Sequence, residues 1–110
     1  MADDDAQTYK SFDEAVNMTA GELERWLVTD ESREVGDKSG GGESTGHHSG
    51  RRILAILHSK KSDLDDDDIA HMRKVIGYVH RHLAQGGPKE DKEHSRWRYS
   101  LMNWGHDPSL

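Results

Sequence analysis

Eight histidines, at positions 47, 48, 58, 71, 80, 82, 94 and 106, are the side chains of this 110-residue chain best suited to chemistry at neutral pH. An imidazole can relay a proton or ligate a metal, and spacing decides between these roles and plain surface charge. His47 and His48 are adjacent in SGGGESTGHHSG, with no acidic or cysteine partner at a fixed interval, so they lack the converging ligands that a metal site needs. His80 and His82 stand two apart and point to different sides of a helix, whereas a ligand pair wants an interval of three or four. His71 follows Asp68 by three, too common an interval to mark a site, so these imidazoles are expected to be solvated surface. His106-Asp107 has no pocket to act in. There is no HExxH, no phosphate-binding glycine loop and no nucleophile–base motif, and cysteine is absent. The expectation is a protein without catalysis, metal or cofactor.

The cations carry more information. Residues 1–48 hold 4 Lys/Arg against 12 Asp/Glu, while residues 49–110 hold 11 against 9. Five of those nine acids lie within residues 63–68, so the rest of the second half is basic. Arg51, Arg52, Lys60, Lys61, Arg73, Lys74, Arg96 and Arg98 are the expected contacts to an anionic partner, with Arg81 further along the same segment as Arg73 and Lys74. Lys60 and Lys61 follow an expected helix end, where the dipole favours cations. Arg51 and Arg52, at an expected helix start, are the more informative pair.

These residues must be positioned by helices. The longest clean apolar period lies in residues 65–85, where Ile69, Met72, Val75, Ile76, Val79 and Leu83 recur at steps of three and four. Asp65 and Asp68 form a capping box, Leu64 and Ile69 a staple, and Gly86-Gly87-Pro88 a stop. A second marked start is Thr19 with Glu22, leading a helix through Leu23, Trp26 and Leu27 that is expected to fray over residues 29–32. Residues 9–16 predict a short first helix and residues 51–60 another, capped by Ser49 and buried through Ile53, Leu54, Ile56 and Leu57. Trp97, Leu101 and Trp104 at i, i+4, i+7 predict a short terminal helix that docks to complete a thin core, with Gly105 ending it. Residues 1–8 are expected to be a disordered acidic tail, and residues 33–50 a flexible glycine-rich loop.

Composition bounds the class. Hydrophobic residues make up 32% and charged residues 33%, enough for one small domain and no more. No apolar run approaches the roughly 18 residues of a membrane span, and MADDDAQ is acidic rather than a secretory leader, so a cytoplasmic protein is expected.

Taken together, MTAGELERWL, SGRRILAIL, DDDDIAHMRKVIGYVHRHLAQ and RWRYSLMNWGHDP resemble a family of small microbial and fungal proteins, a domain of unknown function whose members are often labelled DNA-binding. The resemblance covers residues 12–108 apart from the glycine loop, with the C-terminal block its most specific part, and it implies a helical domain with a nucleic-acid role. A fainter likeness is to SAP-type modules, a helix, an extended loop and a second helix whose basic entry meets phosphate. Gly50, Arg51 and Arg52 take that place here, where free N–H groups of a helix start would suit an anion.

The chain is therefore expected to be an all-α, single-domain bundle of four to five helices spanning residues 9–108. Its expected role is binding duplex DNA, mainly through the phosphate backbone and nucleoid-associated in that case. The alternative is a protein–protein interaction module using the aromatic–basic C-terminus.

Overall fold

The rod expected from the apolar period is the longest helix of the computed structural model, which describes residues 2–35 and 45–109. Six helices follow one another: α1 (Ala2–Ala15), α2 (Ala20–Leu27), α3 (Asp30–Glu34), α4 (Thr45–His58), α5 (Asp66–Gln85) and α6 (Arg96–Asn103). Single 3-10 turns at Lys61–Asp63 and Lys92–His94 complete the described secondary structure, and no strand occurs among the described residues. The fold is all-α, as the periodicity indicated.

Local sequence explains the two best-defined starts. At α5, Asp65 accepts the Asp68 N–H at 2.9 Å while Asp68 accepts the Asp65 N–H at 3.1 Å. Gly86 ends the helix at φ 72°, a conformation that costs glycine little. Thr19 and Glu22 reciprocate in the same way at α2. α2 does not fray at its end. Thr29 donates its hydroxyl proton to the Trp26 carbonyl at 2.7 Å and accepts the Ser32 N–H at 3.2 Å, closing α2 and opening α3.

Two other helix starts differ from the expectation, each through tertiary contact. α1 begins at Ala2, taking in residues 2–8 of the expected disordered tail, because Thr8 is buried and Arg73 of α5 bonds to it. α4 begins at Thr45, so His47, His48, Ser49 and Gly50 are helical rather than part of a loop. At its other end the expected loop is also ordered, with Arg33 and Glu34 in α3 and Val35 buried, and residues 36–44 lie outside the described residues. Leu83, expected in the core, is 36% exposed at the edge of α5.

Gly46 and Gly50 show why α4 starts early. A Cβ on Gly50 would lie 2.6 Å from the Asn103 carbonyl oxygen and 2.6 Å from Leu27 Cδ2, and one on Gly46 would meet Asn103 and Trp104 at 3.4–3.5 Å. Helix α4 therefore presses its backbone against α2 and α6, and that close packing offsets the roughly 1 kcal/mol helix penalty of each glycine.

The core runs from Phe12, Ala15, Val16 and Met18 through Leu23, Trp26 and Leu27 to Ile53, Ile56, Ile69, Met72, Val75, Val79, Leu101 and Trp104. α1 packs mainly on α5, α2 on α4, and α6 touches α2, α3, α4 and α5. The C-terminal segment is core, as its spacing suggested: Leu101 and Trp104 are buried and Trp97 packs against the cluster. Beyond α6, the Gly105 carbonyl accepts the Met18 N–H at 3.2 Å, and Asn17 and Asp107 exchange two hydrogen bonds at 2.8 and 3.0 Å. These bonds tie the end of the chain to the α1–α2 junction.

Replacing Gly50 with Ala should destabilise the protein by about 1–3 kcal/mol in urea denaturation, because the added methyl has no room against the Asn103 carbonyl. Gly21→Ala, on the exposed side of α2 with only Arg25 Nη1 at 3.5 Å, should be neutral or stabilising by about 0.5–1 kcal/mol. Equal losses from the two changes would overturn the packing role given to Gly50.

Candidate nucleic-acid interface

The eight cations expected to face an anion have different fates. Arg98 grips Asp107 through two parallel bonds of 3.1 Å and donates to the Glu93 carbonyl at 2.8 Å, leaving its side chain 18% exposed. Burial alone would raise the Asp107 carboxyl, but hydrogen bonds from Arg98 and the Ser109 N–H hold it below its usual range. The same pairing raises the Arg98 guanidinium further above neutrality. Arg98 is a structural cation.

Arg52 pairs with Asp68 at 3.3 Å, linking α4 to the start of α5, and its Nε is buried. Lys61 places its ammonium 5.2 Å from the centroid of the Tyr9 ring. Arg96 lines a cleft of about 140 Å³ with Glu31, Glu34, Val35 and Tyr99, in an acidic neighbourhood. Arg51 and Lys60 are exposed. Arg51 and Arg52 lie in the middle of α4, almost two turns past Thr45, so they do not stand beside the unpaired N–H groups of a helix start. This overturns the SAP-type likeness, which required that entry.

The remaining two, Arg73 and Lys74, are exposed together on α5. From Ile69 to Gln85 this helix carries no acidic residue. Its exposed positions after the first turn are Ala70, Arg73, Lys74, His80, Arg81, Leu83, Ala84 and Gln85, and the cations among them share a stripe at helical spacing. Arg73 Nε donates to Thr8 Oγ1 at 3.2 Å and its Nη2 lies 3.5 Å from Asp5, yet the side chain stays 53% exposed. Arg81 folds back over Gly77, where a Cβ would sit 2.9 Å from its Nη1. Meanwhile Glu22, Glu24, Asp30, Glu31 and Glu34 ride on α2 and α3, which pack against α4 and α6.

A third side of α5 was missed from sequence. His71, Tyr78 and His82, expected on the polar surface, form a ladder of near-parallel rings with Trp104 and Trp97 of the C-terminal segment. Centroids are 6.1 Å apart for His71–Trp104, 4.2 Å for Trp104–Tyr78, 5.1 Å for Tyr78–His82 and 6.4 Å for His82–Trp97, with planes within 14°. Trp97 also donates its indole N–H to the His82 carbonyl at 2.9 Å. The signal was present, since positions 71, 75, 78 and 82 trace one helical stripe through buried Val75.

His71 Nε2 and Ser49 Oγ share a hydrogen bond of 2.9 Å. The pair has the elements of a nucleophile and a base, but Ser49 is 2% exposed and its hydroxyl is out of reach of a substrate. Burial, reinforced by the nearby charges of Arg52 and Lys74, lowers the His71 pKa from 6.5 to about 4, so the ring is neutral at pH 7. His82 is lowered by burial as well. His47, in α4, bonds the Leu27 carbonyl at 2.7 Å. Among the described residues, no three His, Asp or Glu side chains converge as a metal-ligand set, and no helix is long and apolar enough to cross a membrane.

The model of the family described as "Protein of unknown function (DUF3140)" matches residues 11–102, from the middle of α1 to the last turn of α6. The chain belongs to the DUF3140 family. No curated protein and no solved structure matches it. The DUF3140 match contains α5 with its exposed stripe, Asp68 and four rings of the ladder, while Trp104, Asp5, Thr8 and Asp107 lie outside it. The family description assigns no activity, so membership supplies the family and leaves the binding role to the chemistry of the surface.

The folded His71 pKa lies below its ordinary value, so the unfolded DUF3140 chain takes up this proton first as pH falls. Its contribution is therefore fully present above about pH 6.5 and lost progressively toward pH 4. The loss should be on the order of 1–2 kcal/mol, reduced from the full linkage value because the half-buried ring is partly screened by water. His71→Gln keeps a partner for Ser49 and removes the titration. Its unfolding free energy should fall by about 1 kcal/mol less than wild type between about pH 7 and 4.5, as read from denaturant melts. Identical pH profiles would overturn the assignment.

Proposed function

We propose that this protein binds duplex DNA, mainly through phosphate contacts from the solvent side of α5. One observation carries the reading: residues 69–85 are free of acid and expose Arg73, Lys74, His80 and Arg81 along a single stripe. A phosphate backbone rewards such a row of cations by releasing counterions, with no base-reading group required. The overall charge of -6 counts against DNA only if its acids share the contact face. Five of them ride on α2 and α3, packed against α4 and α6. The reading places the protein in the cytoplasm with the nucleoid, and no catalytic step enters it.

It also moves the contact set. Arg73 and Lys74 stay, Arg81 and His80 join them, and Lys60, Lys61 and Arg51 become flanking charges. Arg52 and Arg98 are committed to Asp68 and Asp107. The alternative, a protein-interaction module displaying the aromatic–basic C-terminus, keeps exposed Arg96 and part-exposed Trp97 and Tyr99 but loses Leu101 and Trp104, which are buried.

Fluorescence anisotropy of a labelled duplex at about 50 and 200 mM salt tests the proposal. Three phosphate contacts give a salt slope of about -2.7, or a loss of about 40-fold over that range. Lys74→Glu with Arg81→Glu should cost at least about tenfold in affinity, while Arg25→Glu with Arg33→Glu, the same charge change on α2 and α3, should stay within about threefold. Equal losses from both pairs would replace the α5 surface with a general charge effect. No binding at the lower salt would overturn nucleic-acid binding itself.

A further inference from the structure

Arg73 lies within the exposed stripe, yet its guanidinium is held by α1. Its Nε donates to Thr8 Oγ1 at 3.2 Å and its Nη2 lies 3.5 Å from an Asp5 carboxylate oxygen. The two contacts come from the N-terminal half of α1, and what that half is made of decides how firmly they hold. Ala6 and Gln7 are exposed and Asp5 is part-exposed, so Thr8, a polar residue, is the buried side chain described there. The apolar anchors of α1, Tyr9, Phe12 and Ala15, all lie beyond it. The first two turns are thus fastened to α5 by polar contacts on Arg73, while the second half is fastened by the core.

Resting on the α5 reading, we propose that the first two turns of α1 are a displaceable latch in which Asp5 occupies Arg73 in place of a DNA phosphate. An exposed carboxylate–guanidinium pair is a weak, salt-screened contact. A phosphate on a polyanion offers the same guanidinium a stronger, bidentate partner and is backed by the neighbouring contacts of Lys74 and Arg81. Phosphate binding at Arg73 therefore competes with docking of Asp5. The apolar half of α1 stays in place, so the domain remains folded while the latch opens. Asp5 and Thr8 both precede residue 11, where the family match begins.

The test compares wild type with Asp5→Asn and with Glu24→Gln, an equal charge change on the exposed side of α2. Each full-length protein is titrated into the labelled duplex across a salt series. Asp5→Asn should bind about two- to fivefold more tightly than wild type, the range set by an exposed ion pair. Because it starts with Arg73 released, it should also change the salt slope by up to about 0.9 relative to Glu24→Gln. Hydrogen exchange gives a second readout: amides of residues 5–8 should exchange faster in wild type once duplex is bound, while those of residues 12–15 keep their protection. Asp5→Asn matching Glu24→Gln in affinity and slope, with residues 5–8 equally protected in the complex, would overturn the latch and leave the α5 reading standing. Wild type and Asp5→Asn both failing to bind at about 50 mM salt would overturn the α5 reading, and the latch with it.

Discussion

A fully buried amide side chain obliges its surroundings to supply donors and an acceptor, and Asn103 imposes that condition on half of this fold. Its oxygen accepts from the Trp26 indole N–H at 2.8 Å and from the Ser32 hydroxyl, and its nitrogen donates to the Ser32 carbonyl at 3.0 Å. Each bond left unmade would strand a polar group out of water at a cost of about 1–3 kcal/mol. The geometry can be met only when α2, α3 and α6 are all in place. Helix α4 then seals the site, because Gly46 and Gly50 let its backbone reach Asn103 where a side chain would have held it off. The buried network makes the short helices α3 and α6, five and eight residues long, cooperative with longer neighbours.

Helix α5 meets the rest of the molecule on two sides. Its apolar residues pack toward α1, while His71, Tyr78 and His82 stack with Trp104 and Trp97. Near-parallel rings at these separations contribute more than area burial alone, and they fix α6 against α5 without a continuous aliphatic seam. Gly87 belongs to the same device, since a Cβ there would lie 2.6 Å from the Trp97 ring. With two sides engaged in packing, the third is left to solvent, and the cations fall there. Packing and charge are thus separated by angle around one helix. Surface substitutions on the third side can change its charge while leaving the core intact.

What could be seen in the sequence was what local chemistry determines. Capping boxes at Thr19/Glu22 and Asp65/Asp68 depend on residues three apart, and both formed as expected. The apolar period of α5 and the docking of Leu101 and Trp104 were legible for the same reason, that one-sided spacing needs no knowledge of the partner. The early start of α4 was not. SGGGESTGHHSG reads as a loop until Asn103 and Leu27 are placed against Gly50. Polar residues that bury, such as Ser32, Ser49 and Asn103, were equally hidden, because their partners are 71, 22 and 77 positions away. The cations suffered most. Counting charges ranks Arg98 with Lys74, and only the fold shows that Arg98 is held by Asp107.

The same limit applies to the net charge, which is a poor guide to what this surface attracts. At physiological ionic strength exposed charges are felt over about 8 Å, so acids on α2 and α3 weigh less on a ligand at α5 than the acids that touch it. Those are Asp5 of α1, 3.5 Å from Arg73, and the acids that open the helix. Asp65 to Asp68 crowd the first turn of α5, where the helix dipole favours them and where Asp65 and Asp68 are needed to start the helix. The hydrogen bond donated by the Asp68 N–H holds the Asp65 carboxyl below its usual range. The basic surface can begin only after that turn, at Arg73. On the proposed reading a polyanion would meet the C-terminal two-thirds of α5, and the acidic cap that makes the helix also sets the edge of the surface it presents.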